Sequence, residues 1–140
     1  MHLPRRLCEY AFMFMFPRYA LLSGLLAWLV GSVALRLGGQ YVLPVAGGPQ
    51  TLLLFAASVP ASAWFTRGFC RAFQLKRDRW SAAAVALVLP TLVLDAFSVA
   101  FFPIAFPNIA PNAAGVFGGW MLCCCAGGLL GGHFAPGASV

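Results

Sequence analysis

Acidic residues are nearly absent from this chain. Glu9, Asp78 and Asp95 are the whole complement in 140 residues, and charges of both signs together make up 9%. A soluble domain needs roughly a quarter of its residues charged to cover its surface. A solvated globular protein, or a soluble bundle of four buried helices, is therefore excluded for want of polar faces. Histidine is almost as scarce, with His2 and His133 near the two ends. No haem or zinc site is expected, and no cofactor is assigned. Cysteine occurs in no framework, since Cys8, Cys70 and the run Cys123-Cys124-Cys125 are odd in number and contain no C-x-x-C. Consecutive cysteines on a helix point about 100° apart and cannot converge on one tetrahedral metal. They read as small polarizable fillers of a packed helix. No nucleophile–base pair, P-loop or dinucleotide fingerprint occurs, so the chain is not read as an enzyme.

Apolar residues fill the space left by charge, at 61% of the chain and a mean hydropathy of +0.87. Four stretches approach the ~20 apolar residues that cross a bilayer: 19–37, 49–69, 81–102 and 113–134. The expected fold class is thus all-α, a polytopic four-helix transmembrane bundle forming one domain over 19–134. Interior Pro60 and Pro90 are tolerable in such helices, where neighbouring groups satisfy the freed carbonyl, and each predicts a kink. Pro49 suits a first helical turn, which needs no amide donor.

Net charge is +6, which in a soluble protein would suggest nucleic acid. Here the basic residues sit between the apolar runs, and no nucleic-acid partner is expected. Arg5, Arg6 and Arg18 precede the first span. Arg67, Arg71, Lys76, Arg77 and Arg79 join the second to the third, and Arg36 alone lies on the other side. Eight against one, the bias puts both termini in the cytoplasm. Residues 1–18 hold "EYAFMFMFPRY", too short to cross and set off by Pro17. It reads as an interfacial segment with Tyr10, Phe12, Phe14 and Phe16 at headgroup depth. Twin Arg5-Arg6, with "GSVA" at 31–34, also resembles a signal peptide and cleavage site. A retained anchor is the expectation. Residues 135–140 form a short tail.

Asp95 is the anomaly. Counting from Ser81, it lies 14 residues into the third span, about 21 Å deep. An ionised aspartate near mid-bilayer costs ~3 kcal/mol on insertion scales, so it must face the bundle or a wet cavity, find a partner, or be neutral. Arg36, at about 26 Å on the first span, is the expected partner. Thr91 at i−4 and Ser98 at i+3 share its face and complete a polar stripe beside Pro90. The stripe reads either as a polar lock between helices or as a proton or cation site. After it, "FFPIAFPNIAPN" cannot continue the helix. It is expected to fold as a lid at the outer interface, or less simply as a pore-lining element, with Asn108 and Asn112 turning the chain and Asn112 capping the fourth span. In that span Gly115/Gly119 and Gly127/Gly131 are GxxxG pairs, which suit close packing against another helix of this chain, a second copy or a membrane partner.

Leu94-Asp95-Ala96-Phe97-Ser98, Phe101-Phe102-Pro103, Phe106-Pro107-Asn108 and Phe117-Gly118-Gly119-Trp120 resemble a family of small bacterial four-helix membrane proteins catalogued as a domain of unknown function. The resemblance spans about 20–132 and is most specific over 94–120. The cysteine run and the aromatic segment before Pro17 fall outside it. It implies a bacterial inner-membrane protein and no activity. Two functions stay open: a non-enzymatic membrane protein acting through helix packing or a partner in the bilayer, with Asp95–Arg36 as an internal lock, or a small proton- or cation-coupled transporter with Asp95 titrating.

Overall fold

The computed structural model describes residues 5–43 and 48–134, with side chains from Arg18 onward. Five helices, α1 (Arg5–Val42), α2 (Pro49–Ala72), α3 (Trp80–Ala100), α4 (Phe102–Ala105) and α5 (Ala114–His133), account for most of these residues, with short 3-10 turns at Arg77–Arg79 and Pro111–Ala113. The described part is all-helical. Three stretches, Arg18–Val42, Arg77–Ala100 and Pro111–His133, are long and apolar enough to cross a membrane. α2 is not among them, because Gln50, Thr51, Ser58, Ser62, Thr66 and Arg67 dilute its apolar run.

The helices run further than the spacing of prolines suggests. α1 passes through Pro17 without a break, so the segment expected to be separate is the first part of one 38-residue helix. A proline early in a long helix costs one backbone hydrogen bond, which the remaining turns outweigh. Tyr10, Phe12, Phe14 and Phe16, expected at headgroup depth, have side chains outside the described residues, as do residues 135–140 entirely. α2 and α3 likewise continue across Pro60 and Pro90. Hydroxyls beside each proline donate into nearby carbonyls: Ser62 to Ser58 O at 2.6 Å, and Thr91 to Val88 O at 2.7 Å.

α5 is the centre of the bundle. It packs on α2 along one side and α3 along the other, while α1 packs on α3. Its "GGLLGG" stretch explains why. A Cβ on Gly127 would collide with the Val59 carbonyl, and one on Gly131 would lie 2.7 Å from Ala63 Cα, both on α2. One residue on, a Cβ on Gly132 would lie 2.8 Å from Trp80 O and one on Gly128 3.0 Å from a Val88 methyl, both on α3. Two glycine pairs a quarter-turn apart thus seat two neighbours nearly backbone to backbone. Of the GxxxG pairs, 127/131 is filled within the chain by α2. In the other, a Cβ on Gly119 would lie 2.7 Å from the Phe55 ring of α2, and Gly115 faces open space.

Each end of the bundle is closed by its own cluster. At the end bearing the α2–α3 turn, Cys70, Leu75, Trp80, Ala83 and Leu87 pack against Ala20. The turn is a Schellman motif: Gln74 takes φ 50°, Gln74 N–H reaches Arg71 O and Leu75 N–H reaches Cys70 O at 2.9 Å. Trp80 Nε1 donates to Leu75 O, and Arg77 lies over the Trp80 ring at 5.7 Å. Arg67 spans to the end of α5, donating to Phe134 O at 2.8 Å, where the last carbonyls lack partners.

At the other end the proline-rich stretch folds inward as a lid. Phe102, Phe106 and Phe117 are each no more than 2% exposed, with ring centroids 5.1 to 5.5 Å apart. Asn108 fastens the lid to α1, donating to Leu35 O at 2.9 Å and Gln40 Oε1 at 2.6 Å. Asn112 does not cap α5; it lies in the 3-10 turn, and the capping position is Ala113 with no side-chain bond. The turn already supplies the first bond through Ala113 N–H to Ala110 O, which leaves an asparagine cap nothing to do.

The packing predicts a sharp contrast between the two GxxxG pairs. Gly131→Leu should destabilise by roughly 1–3 kcal/mol, the usual cost of overpacking. Gly115→Ala, with space around it, should fall within ~0.5 kcal/mol of the parent. Thermal unfolding of the detergent-solubilised protein reads both, and equal losses would overturn the assignment of α5's faces.

Candidate functional site

Between the two closed ends the bundle is hollow. α1 and α2 are both held by inner helices but do not pack on each other. A cavity of about 550 Å³ separates them, lined from all four long helices. Small side chains make the room on α1: Gly24, Ala27, Gly31 and Ala34 line it, spaced three and four apart on one face. At Gly24 the face touches α3, where a Cβ would collide with Leu87 O; at Gly31 nothing lies within 4 Å. The same stripe therefore binds α3 at one end and widens the cavity further along.

Asp95 is 6% exposed and lines this cavity. Its Oδ1 accepts a hydrogen bond from Trp28 Nε1 of α1 at 3.0 Å, and no other hydrogen bond reaches it from the described residues. The expected ion pair with Arg36 does not form. Arg36 is exposed, eight residues past Trp28, which places it about 12 Å further along the helix and about 80° around it. The neighbouring hydroxyls also leave Asp95 alone. Ser98 is 6% exposed but donates to Leu94 O at 3.0 Å and does not line the cavity. Thr91 does line it, yet donates to Val88 O, with its oxygen 3.9 Å from Cys125 Sγ. The predicted stripe of Thr91, Asp95 and Ser98 is thus real as a helix face but not as a network.

The opposite wall comes from α5 and α2. Trp120, Cys124 and Cys125 face the cavity alongside Ser62 and Thr66. Trp120 Nε1 donates to Ser58 Oγ, joining α5 to α2. Two of the three consecutive cysteines therefore form cavity wall, and Cys125 is buried while Cys123 and Cys124 are half-buried. No group of three or more His, Cys, Asp or Glu side chains able to hold a metal occurs among the described residues. Among the described residues, no lysine, arginine or histidine lines the cavity. Chemically the site offers one carboxyl as acceptor, two indoles, a few small hydroxyls and thiols, and apolar walls.

Trp28 and the α1 stripe escaped the sequence reading. The signal was present as Ala20, Gly24, Ala27, Gly31, Ala34 and Gly38, small residues repeating at four and three, with Trp28 immediately beside the stripe. In an apolar helix such a repeat marks the face that approaches a neighbour.

A family described as "Family of unknown function (DUF5367)" matches residues 47–138. The chain belongs to this family. The DUF5367 match covers α2 to α5, and with them Asp95, Thr91, Trp120 and the cysteines; α1 with Trp28 precedes it. No curated protein matches the chain, and no solved structure does.

Removing the donor should reveal which partner Asp95 has. Trp28→Phe should cost about 0.5–1.5 kcal/mol, the net worth of a hydrogen bond. Arg36→Gln should change stability by less than ~0.5 kcal/mol, as exposed positions do. Thermal unfolding in detergent checks the order, and the reverse order would reinstate Arg36.

Proposed function

We propose that this chain is a non-enzymatic, four-span membrane protein of the bacterial inner membrane. It works through its central cavity as a small carrier, with Asp95 as the group that exchanges a proton or cation. The observation that carries the reading is a buried carboxyl facing a cavity with one neutral donor and, among the described residues, no cationic side chain. A carboxyl serving only to lock helices together would be enclosed by its partners. This one is left with an unbonded oxygen on a space large enough for a ligand, and ionisable groups held inside a bilayer face pathways and sites.

Four spans follow if α2 crosses with the rest. Its 24 residues reach about 36 Å, more than the hydrocarbon core. Two of the polar residues that lower its hydropathy, Ser58 and Thr66, are buried, while Leu52, Leu53 and Trp64 are at least 70% exposed. The orientation with both termini inside rests on the clustering of Arg18, Arg67, Arg71, Lys76, Arg77 and Arg79 at one end of the bundle. The bacterial inner membrane rests on the family resemblance. A second reading, a polar lock joining α1 to α3, is favoured by the Trp28–Asp95 bond itself.

Carboxyl infrared absorption in nanodiscs separates the two, with Asp95→Asn as the blank. A carrier predicts reversible protonation of Asp95 within the pH range where the fold persists, together with fast deuterium exchange. An Asp95 signal that stays constant over that range, with slow exchange, would leave the lock as the account.

A further inference from the structure

The shape of the cavity and the charges around it narrow what can occupy it. Its volume of about 550 Å³ falls within the roughly 300–1,000 Å³ of small-molecule sites. It lies between the two packed ends of the bundle, lined by residues of the apolar helices. Its gap is bounded by α1 and α2, helices whose outer faces are apolar, with Leu22, Leu26, Val30, Leu52 and Leu53 all well exposed. The way in therefore leads from hydrocarbon and not from water. At Gly31 the wall is bare backbone with open space in front of it. A side chain there would fill the mouth, and no packing contact accounts for the glycine.

Electrostatics then select the ligand's charge. Among the described residues, Asp95 is the one carboxyl in the wall and no basic side chain lines it, while Trp28 and Trp120 supply aromatic surfaces. A carboxylate with indole faces nearby attracts a cation and repels an anion. Apolar walls elsewhere demand that the rest of the ligand be hydrocarbon or aromatic. From this, and resting on the carrier reading above, we propose that the cavity binds a lipophilic monocation, a bulky amine or onium ion. It would enter from the bilayer between α1 and α2, with its charge set against Asp95 and its rings against the indoles. A lipid acyl chain would satisfy the walls but leave the carboxyl unmatched.

Tetraphenylphosphonium is a suitable probe, with tetraphenylborate as the anion of the same shape. Equilibrium binding to the full chain in nanodiscs, corrected for empty nanodiscs, should be saturable for the cation and absent for the anion. Asp95→Asn keeps an oxygen for Trp28 but loses the charge, and should bind the cation at least about ten-fold more weakly. Gly31→Phe fills the cavity from a position where an added Cβ meets no neighbour, and it leaves the carboxyl itself in place. It should weaken binding as much while unfolding at the parent's temperature, and it carries the test if Asp95→Asn fails to fold. Equal binding of both ions, binding indifferent to both substitutions, or no saturable cation binding would each overturn the proposal. The infrared titration keeps the two readings apart. An exchanging Asp95 without cation binding would remove the ligand class and spare the carrier. Asp95-dependent cation binding with a silent carboxyl would spare the site and remove proton exchange.

Discussion

Where α5 meets α2 at Gly127 and Gly131, and α3 at Gly128 and Gly132, the helices approach until a methyl group would collide. That closeness fixes the plan of the molecule. With α5 wedged between them, α2 and α3 touch far less than either touches α5. α1 uses Gly24 to reach α3 and has no helix left to cover its other side. A gap between α1 and α2 is then a geometric remainder, and the cavity is that remainder. Dispersion forces in the glycine seams give the bundle its tightness, and the same seams oblige it to be hollow.

Asp95 makes sense inside that plan. A carboxyl in a fully packed seam would need every lone pair answered by the protein. At the edge of a cavity it needs less, because water or a ligand can supply what the fold does not. Trp28 provides one directional bond from a neutral donor, which orients the group without cancelling its charge. An arginine in that place would have cancelled it. The choice of donor therefore decides whether the carboxyl stays available to something that comes and goes.

Much of the architecture was legible in the residues. Apolar run length located three of the long helices and, with Pro49, the start of α2. Glycine spacing located the seam at 127/131, and the aromatic prolines marked a lid, though its inward fold was not foreseen. What failed had a common cause. Matching Asp95 to Arg36 compared depths along the bundle, yet depth is only one of two cylindrical coordinates. Residues 28 and 36 differ by about 80° around the helix, and the angle decided the partner. Pro17 was read as a boundary from its local cost alone, whereas a helix of this length absorbs it. Asn112 fits the preference for a cap, but a 3-10 turn had already met the need. In each case a local rule was sound, and the neighbour that overruled it could not be seen from one stretch of chain.

The polar side of α2 has a consequence in time as well as in space. Ser58, Ser62 and Thr66 look towards α5, whose Gly131 is made 68 residues after its neighbour Ala63. At synthesis rates of roughly 5–20 residues per second, α2 waits on the order of ten seconds for the partner that shelters it. During that interval it is the least apolar of the long helices, and its polar side has no cover. Assembly of this protein is thus a matter of custody. A ribosome that stalls after the lid leaves that helix without its permanent neighbour.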